Sequence, residues 1–237
     1  MECVFARWGI NRARALAKIA LVLAMVLFFS ERQSTLAQTW QAGFDFRATQ
    51  GFVTDPAGDY AVLGKATLYP TTTNGVTYGW ASAYGYGQLS SYDLNAAVDP
   101  RLAGANAMNN NVSPAVFQVD LPAPGTYNVS LAIGLSNGFP ACNNSPCQIE
   151  FRDGSTSLFV LTIPTAISPS GAFVDANGKT WSATAWPMNN TTRQITLSGT
   201  HLTVLLGTGT STSSTGSLLA FLGIWANSSG GAPIAIL

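Results

Sequence analysis

Charged residues are scarce in this 237-residue sequence, of which lysine, arginine, aspartate and glutamate together make up only 9%. The part that follows residue 37 holds six basic and nine acidic side chains, which gives it a net charge of −3. A weakly acidic chain with scattered cations lacks the basic patch that binds a phosphate backbone. We therefore expect no nucleic-acid partner.

Histidine and catalytic motifs are almost missing. His201 is the only histidine, and it begins the alternating segment "HLTVLL" on the face opposite Leu202 and Val204, which is typical of a surface position. The sequence has no Gly-x-Ser-x-Gly elbow, phosphate loop, dinucleotide fingerprint or zinc motif. Glu150 and Arg152 share one strand face, which favours a surface ion pair. We expect a non-catalytic protein, with a polysaccharide lyase or esterase as the enzymatic alternative.

Cysteine is rare as well. Cys3 falls in the N-terminal segment, and only Cys142 and Cys147 remain, in the stretch "ACNNSPCQ". Two cysteines in a secreted chain favour a disulfide, whereas a metal site would need further cysteine or histidine residues nearby. The sequence therefore predicts a disulfide between Cys142 and Cys147 that pins a local turn.

The N-terminal segment has the three-part pattern of a secretory signal. Arg7 and Lys18 belong to a basic start, residues 19–29 are apolar, and small residues follow near Ala37. The apolar run is shorter than the roughly 20 residues that span a bilayer. We predict a signal peptide over residues 1–37, a secreted, extracellular protein and no membrane contact after cleavage. An uncleaved anchor is the alternative.

Short alternating segments dominate the rest of the chain, and helical periodicity is almost absent from it. In "AVFQVDLP" and "TYNVSLAIG" the apolar residues occupy every second position, and "PAPG" between them has the composition of a turn. We expect these two strands to form a hairpin. "SLLAFLGIWA" is apolar on both faces, which predicts a strand covered on both sides. Residues 38–227 are therefore expected to form an all-β domain, a two-sheet antiparallel β-sandwich.

The last ten residues, 228–237, are a glycine-hinged apolar tail, "SSGGAPIAIL". One interpretation is a last strand or a frayed end. The other is a donor strand, in which residues 230–237 pair with a sheet edge of a second copy.

Three aspartates suggest a weak metal site. Asp55 and Asp59 in "DPAGD" and Asp153 in "FRDGS" could supply oxygen ligands to a structural calcium ion. Asp-Pro and Asp-Gly pairs are also ordinary turn chemistry. We expect no cofactor other than this structural calcium.

The densest aromatic stretch is "NGVTYGWASAYGYGQLSSYD". It holds Tyr78, Trp80, Tyr84, Tyr86 and Tyr92, with glycines between them. Aromatic faces stack on sugar rings while polar neighbours bond the hydroxyls, and glycine allows the irregular backbone of a binding loop. The same rings serve equally well at the edge of a core. The residues alone leave binding and packing open.

A resemblance favours binding. "FDFRATQGFVTDPAGDYAVLGKATLY", "TYGWAS", "DPRLAG" and "PAVFQVDLPAPGTYNVSLAIG", which all fall within residues 44–134, resemble segments of the galactose-binding-like, malectin-like jelly-roll carbohydrate-binding modules of secreted bacterial polysaccharide-degrading proteins. The chain departs from that pattern at Arg47, where the modules often have glycine, and at "NAMNNNVS", where they often have an Arg-Asp-Phe segment. The resemblance implies a jelly roll and, carried over by position, three ligand-facing residues, Tyr78, Trp80 and Arg101. The nearby Tyr84, Tyr86, Tyr92 and Asp93 complete the ligand-binding candidates.

We thus expect a secreted, non-catalytic β-sandwich that stacks aromatic side chains on the sugar rings of a polysaccharide or glycan. The alternative is a structural subunit of an extracellular filament or surface layer, which assembles by strand donation from the C-terminal tail.

Overall fold

The computed structural model describes residues 40–48, 51–55, 58–82, 89–93, 99–108, 114–134, 147–163, 172–186, 191–207 and 217–227. The chain divides into two units, Met1–Thr39 and Trp40–Leu237, and every described residue belongs to the second. The predicted signal peptide and the tail both lie outside the described residues. Within the described part, no helix is long and apolar enough to cross a membrane.

The described residues fold almost entirely into strands. Two short 3-10 helices, Pro100–Leu102 and Ala183–Ala185, interrupt them. The strands are β1 (Gln41–Phe46), β2 (Gly51–Asp55), β3 (Gly58–Leu63), β4 (Thr71–Thr73), β5 (Val76–Trp80), β6 (Leu89–Asp93), β7 (Gly104–Met108), β8 (Ala115–Asp120), β9 (Gly125–Gly134), β10 (Cys147–Asp153), β11 (Thr156–Ile163), β12 (Ala172–Asp175), β13 (Thr180–Ser182), β14 (Thr192–Leu197), β15 (His201–Leu206) and β16 (Leu218–Ala226).

These strands form two sheets. Sheet A follows the order β13-β12-β9-β16-β1-β3-β2, with β14 beside β9, β7 beside β16 and β6 beside β7. Sheet B follows the order β11-β10-β15-β8-β5-β4. The strand pairs of the described chain are antiparallel except β1 and β3, which are parallel. The predicted all-β class and two-sheet β-sandwich are confirmed, with this one parallel pair as the difference.

The main core lies between the two sheets. Phe44 and Phe46 of β1 in sheet A meet Phe117 of β8 in sheet B edge to face, with ring centroids 5.3 and 5.1 Å apart. Their side chains share one face of β1 because alternate residues of a strand point the same way. Aromatic pairs in this geometry add to the gain from apolar burial.

The expected hairpin of β8 and β9 is wrong. β8 pairs with β15 and β5 in sheet B, and β9 pairs with β16, β12 and β14 in sheet A. Residues 121–124 therefore pass from one sheet to the other. Both strands bury the faces that alternation predicted, such as Val119 and Val129, but they do so from opposite sides of the core.

A second apolar cluster covers the outer face of sheet A. Phe173, Trp186 and Phe221 are buried in it, together with Leu102 and several alanines. Strand β16 contributes to both cores, since Leu222 belongs to the inter-sheet core. The prediction that this strand is covered on both sides is confirmed.

Candidate functional site

Tyr78 and Trp80 lie in the inter-sheet core, where their side chains are 5% and 1% exposed. Trp80 packs against Phe46 and Phe117, with ring centroids 5.7 and 5.1 Å away. Because both rings point inward from β5, neither offers a face to a sugar. Their expected role as ligand-binding residues is corrected here, since they are packing residues.

Gly79, between those two rings, explains why the stretch needs a glycine. Its φ is +142°, and a Cβ atom added there would lie 2.5 Å from the backbone of Leu68 and Tyr69. The chain before β4 lies directly against the end of β5, where the Tyr69 N–H donates to the Trp80 carbonyl and the Trp80 N–H donates to the Thr67 carbonyl, both at 2.9 Å. This glycine serves close backbone packing rather than a mobile binding loop.

Arg101 is also buried, with 2% of its side chain exposed. Its guanidinium forms a salt bridge to Asp99 at 2.6 Å and lies 4.4 Å from the ring centre of Phe221. An arginine held in this way is part of the outer core. The expectation that Arg101 faces a ligand is therefore wrong.

Two of the remaining candidates, Tyr92 and Asp93, lie on β6. Tyr92 is half-buried and packs against the outer apolar cluster. Asp93 is exposed and accepts a hydrogen bond from the Ala48 backbone N–H at 2.9 Å. Tyr84 and Tyr86 lie outside the described residues, and their role stays a prediction.

Beside Asp93 lies a pocket of about 330 Å³, which we call the β6 pocket. β6 itself forms one side of it, and the others come from the chain after β1 and from the turn after β3. The lining residues are Ala48, Gly64, Lys65, Ala66, Ser90 and Ser91.

Two hydrogen bonds from β6 fix the neighbouring segments of this pocket. The Ser91 hydroxyl oxygen accepts from the Lys65 backbone N–H at 2.7 Å, and Asp93 holds Ala48 as described above. The turn that carries Lys65 closes with a Thr67 N–H to Gly64 carbonyl bond of 3.1 Å. The lining backbone is thus held in place by the protein itself.

An ion pair between Arg47 and Asp45 lies at the end of β1 that leads into the pocket. Arg47 donates from Nε and Nη2 to Asp45 Oδ2 at 2.9 and 2.6 Å, and it also donates to the Pro100 carbonyl. Asp45 is fully buried. Burial raises the pKa of Asp45 to about 7, although the hydrogen bond and charge of Arg47 act in the opposite direction. Arg47, one of the positions at which the chain departs from the resemblance, therefore anchors the end of β1 that leads into the pocket.

Lys65 differs from the other described lysines and arginines. Each of those contacts a carboxylate or an aromatic ring, in the pairs Arg47–Asp45, Arg101–Asp99, Arg152–Glu150, Lys179–Trp181 and Arg193–Phe159. Among the residues that the structure describes, the Lys65 ammonium has no such partner. Sequence reasoning missed Lys65, Ser90 and Ser91, because an isolated lysine or serine carries no motif.

Asp120 and Glu150 have side-chain partners outside the β6 pocket. Asp120 accepts from the Tyr69 hydroxyl at 3.0 Å and lies 2.8 Å from His201 Nδ1. The carboxylate of Glu150 pairs with Arg152 at 2.8 Å, as expected, but Glu150 is buried and not on the surface. This hydrogen bond holds the pKa of Glu150 below its ordinary value. Sequence spacing gave no sign of the contact between His201 and Asp120.

The aspartates considered for calcium are placed in different sheets. Asp55 ends β2 and Asp59 lies in β3, both in sheet A, whereas Asp153 ends β10 in sheet B. The Asp153 carboxylate accepts from the backbone N–H and hydroxyl of Ser198, both at 2.6 Å. Within the described ranges no three His, Cys, Asp or Glu side chains are grouped to hold a metal ion. Calcium binding stays a prediction, as does the disulfide, since Cys147 begins β10 but Cys142 lies outside the described residues.

Comparison with known proteins gives matches only among solved structures. No family model matches the chain, and no curated protein matches it. A crystal structure of the Bacillus subtilis protein YxiM shares 16% identity at a TM-score of 0.45, over 82% of this chain and 42% of that one. The chain thus spans about two fifths of that protein's length.

Other solved structures to which the chain is similar are carbohydrate-binding modules. The C-terminal CBM6 module of the laminarinase LamC from Zobellia galactanivorans shares 13% identity at a TM-score of 0.37, over 63% of this chain and 98% of the module. The CBM35 module of Abf62 from Cellvibrio japonicus shares 14% at 0.36, over 80% and 95%. The chain is similar to carbohydrate-binding modules.

Proposed function

We propose that the protein is a non-catalytic carbohydrate-binding β-sandwich and that it takes a glycan or polysaccharide in the β6 pocket. The observation that carries this proposal is the polar lining of the pocket, with Lys65, Ser90 and Ser91 on segments already held by hydrogen bonds. Sugar sites combine a few fixed polar groups with apolar surface. Groups that are fixed before binding lose less entropy when the ligand arrives.

The aromatic stretch supplies the apolar part of the proposal. Tyr84 and Tyr86 precede Leu89, the first residue of β6, by only five and three positions. Three residues of extended chain span at most about 10 Å, so Tyr86 is tied by the chain to the strand that lines the pocket. We propose that these two tyrosines stack on a sugar ring bound there.

The lining also supports a binding role over hydrolysis. Glycoside hydrolysis commonly uses two placed carboxylates, and the described residues that line the pocket include none. We further infer that the chain is secreted after cleavage behind Ala37 and that a Cys142–Cys147 disulfide forms outside the cell. N-terminal sequencing and mass spectrometry of the secreted protein test both points.

A glycan array followed by titration calorimetry tests the binding function. With a glycan that the full chain binds, the double variant Tyr84→Ala/Tyr86→Ala should weaken binding at least about tenfold, since each stacked ring contributes about 1 kcal/mol. Trp181→Ala, at the opposite edge of sheet A, serves as the aromatic control and should bind normally. Unchanged binding by the double variant would remove the tyrosines from the site, and an array without any hit would contradict the function.

A structural subunit is the second candidate function, and one observation favours it. β11 is an eight-residue strand at the edge of sheet B, and in the described chain it pairs with β10 alone. Val160 on this strand is 45% exposed. An open edge with apolar side chains can accept a strand from another chain, and we propose residues 230–237 of a second copy as that strand.

Light scattering after size-exclusion chromatography separates the two functions. If strand donation operates, the full chain forms large assemblies and a chain that lacks residues 230–237 does not. A monomeric full chain would leave only the carbohydrate-binding function.

A further inference from the structure

We infer that the β6 pocket selects an acidic saccharide, whose carboxylate or sulfate group pairs with the Lys65 ammonium. This inference rests on the proposed function, because it names the ligand class of the same pocket. It adds to that function the negative charge of the ligand and the residue, Lys65, that binds the charged group.

The first support is the distribution of charge partners. In the described part of the chain, each of the other lysines and arginines forms a salt bridge with a carboxylate or a cation–π contact with an aromatic ring. Lys65 alone among them lines a pocket without either. A lysine that has no charge partner within the protein and lines a binding pocket is complementary to a negatively charged group on the ligand.

The second support is the composition of the pocket around Lys65. The lining residues beside it are Ala48, Gly64 and Ala66, which leave room, and Ser90 and Ser91, which can bond ring hydroxyls. Asp93, the nearby acid, does not line the pocket, and its Oδ1 accepts a hydrogen bond from the Ala48 N–H at 2.9 Å. The lining itself therefore carries a single positive charge and no described negative one.

The third support is the rigidity of the Lys65 backbone. Its N–H bonds Ser91, and the turn closes on Gly64. A Cβ at Gly64 would lie 3.2 Å from the Arg47 carbonyl oxygen, so this turn packs tightly on the end of β1. The backbone of Lys65 is thus held next to Ser91, and its exposed side chain extends from this fixed turn.

Titration calorimetry on the full chain with matched ligands tests the inference. The carboxylate pair is a galacturonic acid tetramer and its carboxyl-reduced neutral form, and the sulfate pair is a sulfated galactan tetramer and its desulfated form. We expect at least one acidic member to bind about fivefold more tightly than its neutral counterpart, the scale of an exposed ion pair. The difference should shrink at high salt, because salt screens exposed charges.

Lysine variants give the matched controls. Lys65→Gln should remove the preference, so that the acidic and the neutral member of a pair bind with equal affinity, and Lys65→Arg should keep it. Lys179→Gln removes the other lysine of the described chain, which lies over Trp181, and should keep the preference. Equal affinity for acidic and neutral forms, or a preference that survives Lys65→Gln, would overturn the inference and leave carbohydrate binding intact. Failure of all four ligands, together with a blank glycan array, would overturn both.

Discussion

At the scale of single residues, the most unusual group is the Asp45 carboxyl. It is fully buried with one oxygen bonded to Arg47, and Oδ1 has no hydrogen-bond partner among the described residues. Burial disfavours the charged form, which raises the pKa of Asp45 from 3.8 to about 7. The folded state therefore keeps a proton that the unfolded chain releases.

This difference predicts how stability changes with pH. Between about pH 4 and pH 7 the native Asp45 is protonated and the unfolded one is not, so its contribution to the free energy of unfolding falls as the pH rises. Asp45→Asn carries no ionisable group and should flatten this decline. Urea unfolding at a series of pH values measures it, and an identical slope in the variant would show that Asp45 does not titrate in this range.

Gly79 allows a second residue-scale prediction. Gly79→Ala places a Cβ 2.5 Å from neighbouring backbone, so we expect a loss of about 3 kcal/mol in the free energy of unfolding. Gly154→Ala is the control, because Gly154 has a φ of +58° and no atom within 4 Å of the added Cβ. Only backbone strain acts there, at about 1 kcal/mol. Equal losses in the two variants would mean that residues 68–69 do not pack tightly against β5.

At the scale of strands, alternation predicted the buried faces and not the pairing. It placed Val119 and Val129 on buried faces, and it recognised β16 as covered on both sides. It then failed for the β8–β9 hairpin, because a strand that joins the opposite sheet has the same pattern as one that turns back beside its neighbour. The same limit applies to Trp80, since nothing local to the aromatic stretch tells an inward ring from an outward one.

The β6 pocket was beyond sequence reasoning for a related reason. Its lining comes from the chain after β1, the turn after β3 and β6 itself. The bond that fixes Ala48 comes from Asp93, 45 positions later in the chain. Asp93, a ligand candidate because it is near the matched residues in the sequence, lies beside the pocket and holds one of its segments.

Removal of the two β6 hydrogen bonds should loosen the pocket without unfolding the protein. Ser91→Ala and Asp93→Ala each delete a side-chain acceptor for a backbone N–H, and we expect each to cost about 1 kcal/mol. Amide hydrogen exchange should accelerate at Lys65 in the first variant and at Ala48 in the second. Ser182→Ala, which removes the acceptor for Ala185 N–H, should leave both amides unchanged. Unaltered exchange in the first two variants would contradict the fixed pocket.

At the scale of the whole described sandwich, β16 joins the two apolar cores. Leu222 faces the core between the sheets, and Phe221 lies in the cluster outside sheet A, 5.9 Å from Trp186 by ring centres. The buried pair Arg101–Asp99 closes over that outer cluster. A strand shared in this way couples the outer layer, which positions β6 and β7, to the sandwich beneath it.

This coupling predicts a single cooperative transition. Phe221→Ala and Leu222→Ala each leave a cavity in a different core, and each should lower the free energy of unfolding by about 3 kcal/mol. Circular dichroism and tryptophan fluorescence should still report coincident two-state curves for both variants. The buried rings of Trp80 in the inner core and Trp186 in the outer one contribute to that fluorescence. If Phe221→Ala instead shows an earlier fluorescence transition while the sheet signal persists, the outer layer unfolds on its own, and the β6 pocket is held more weakly than the sandwich that carries it.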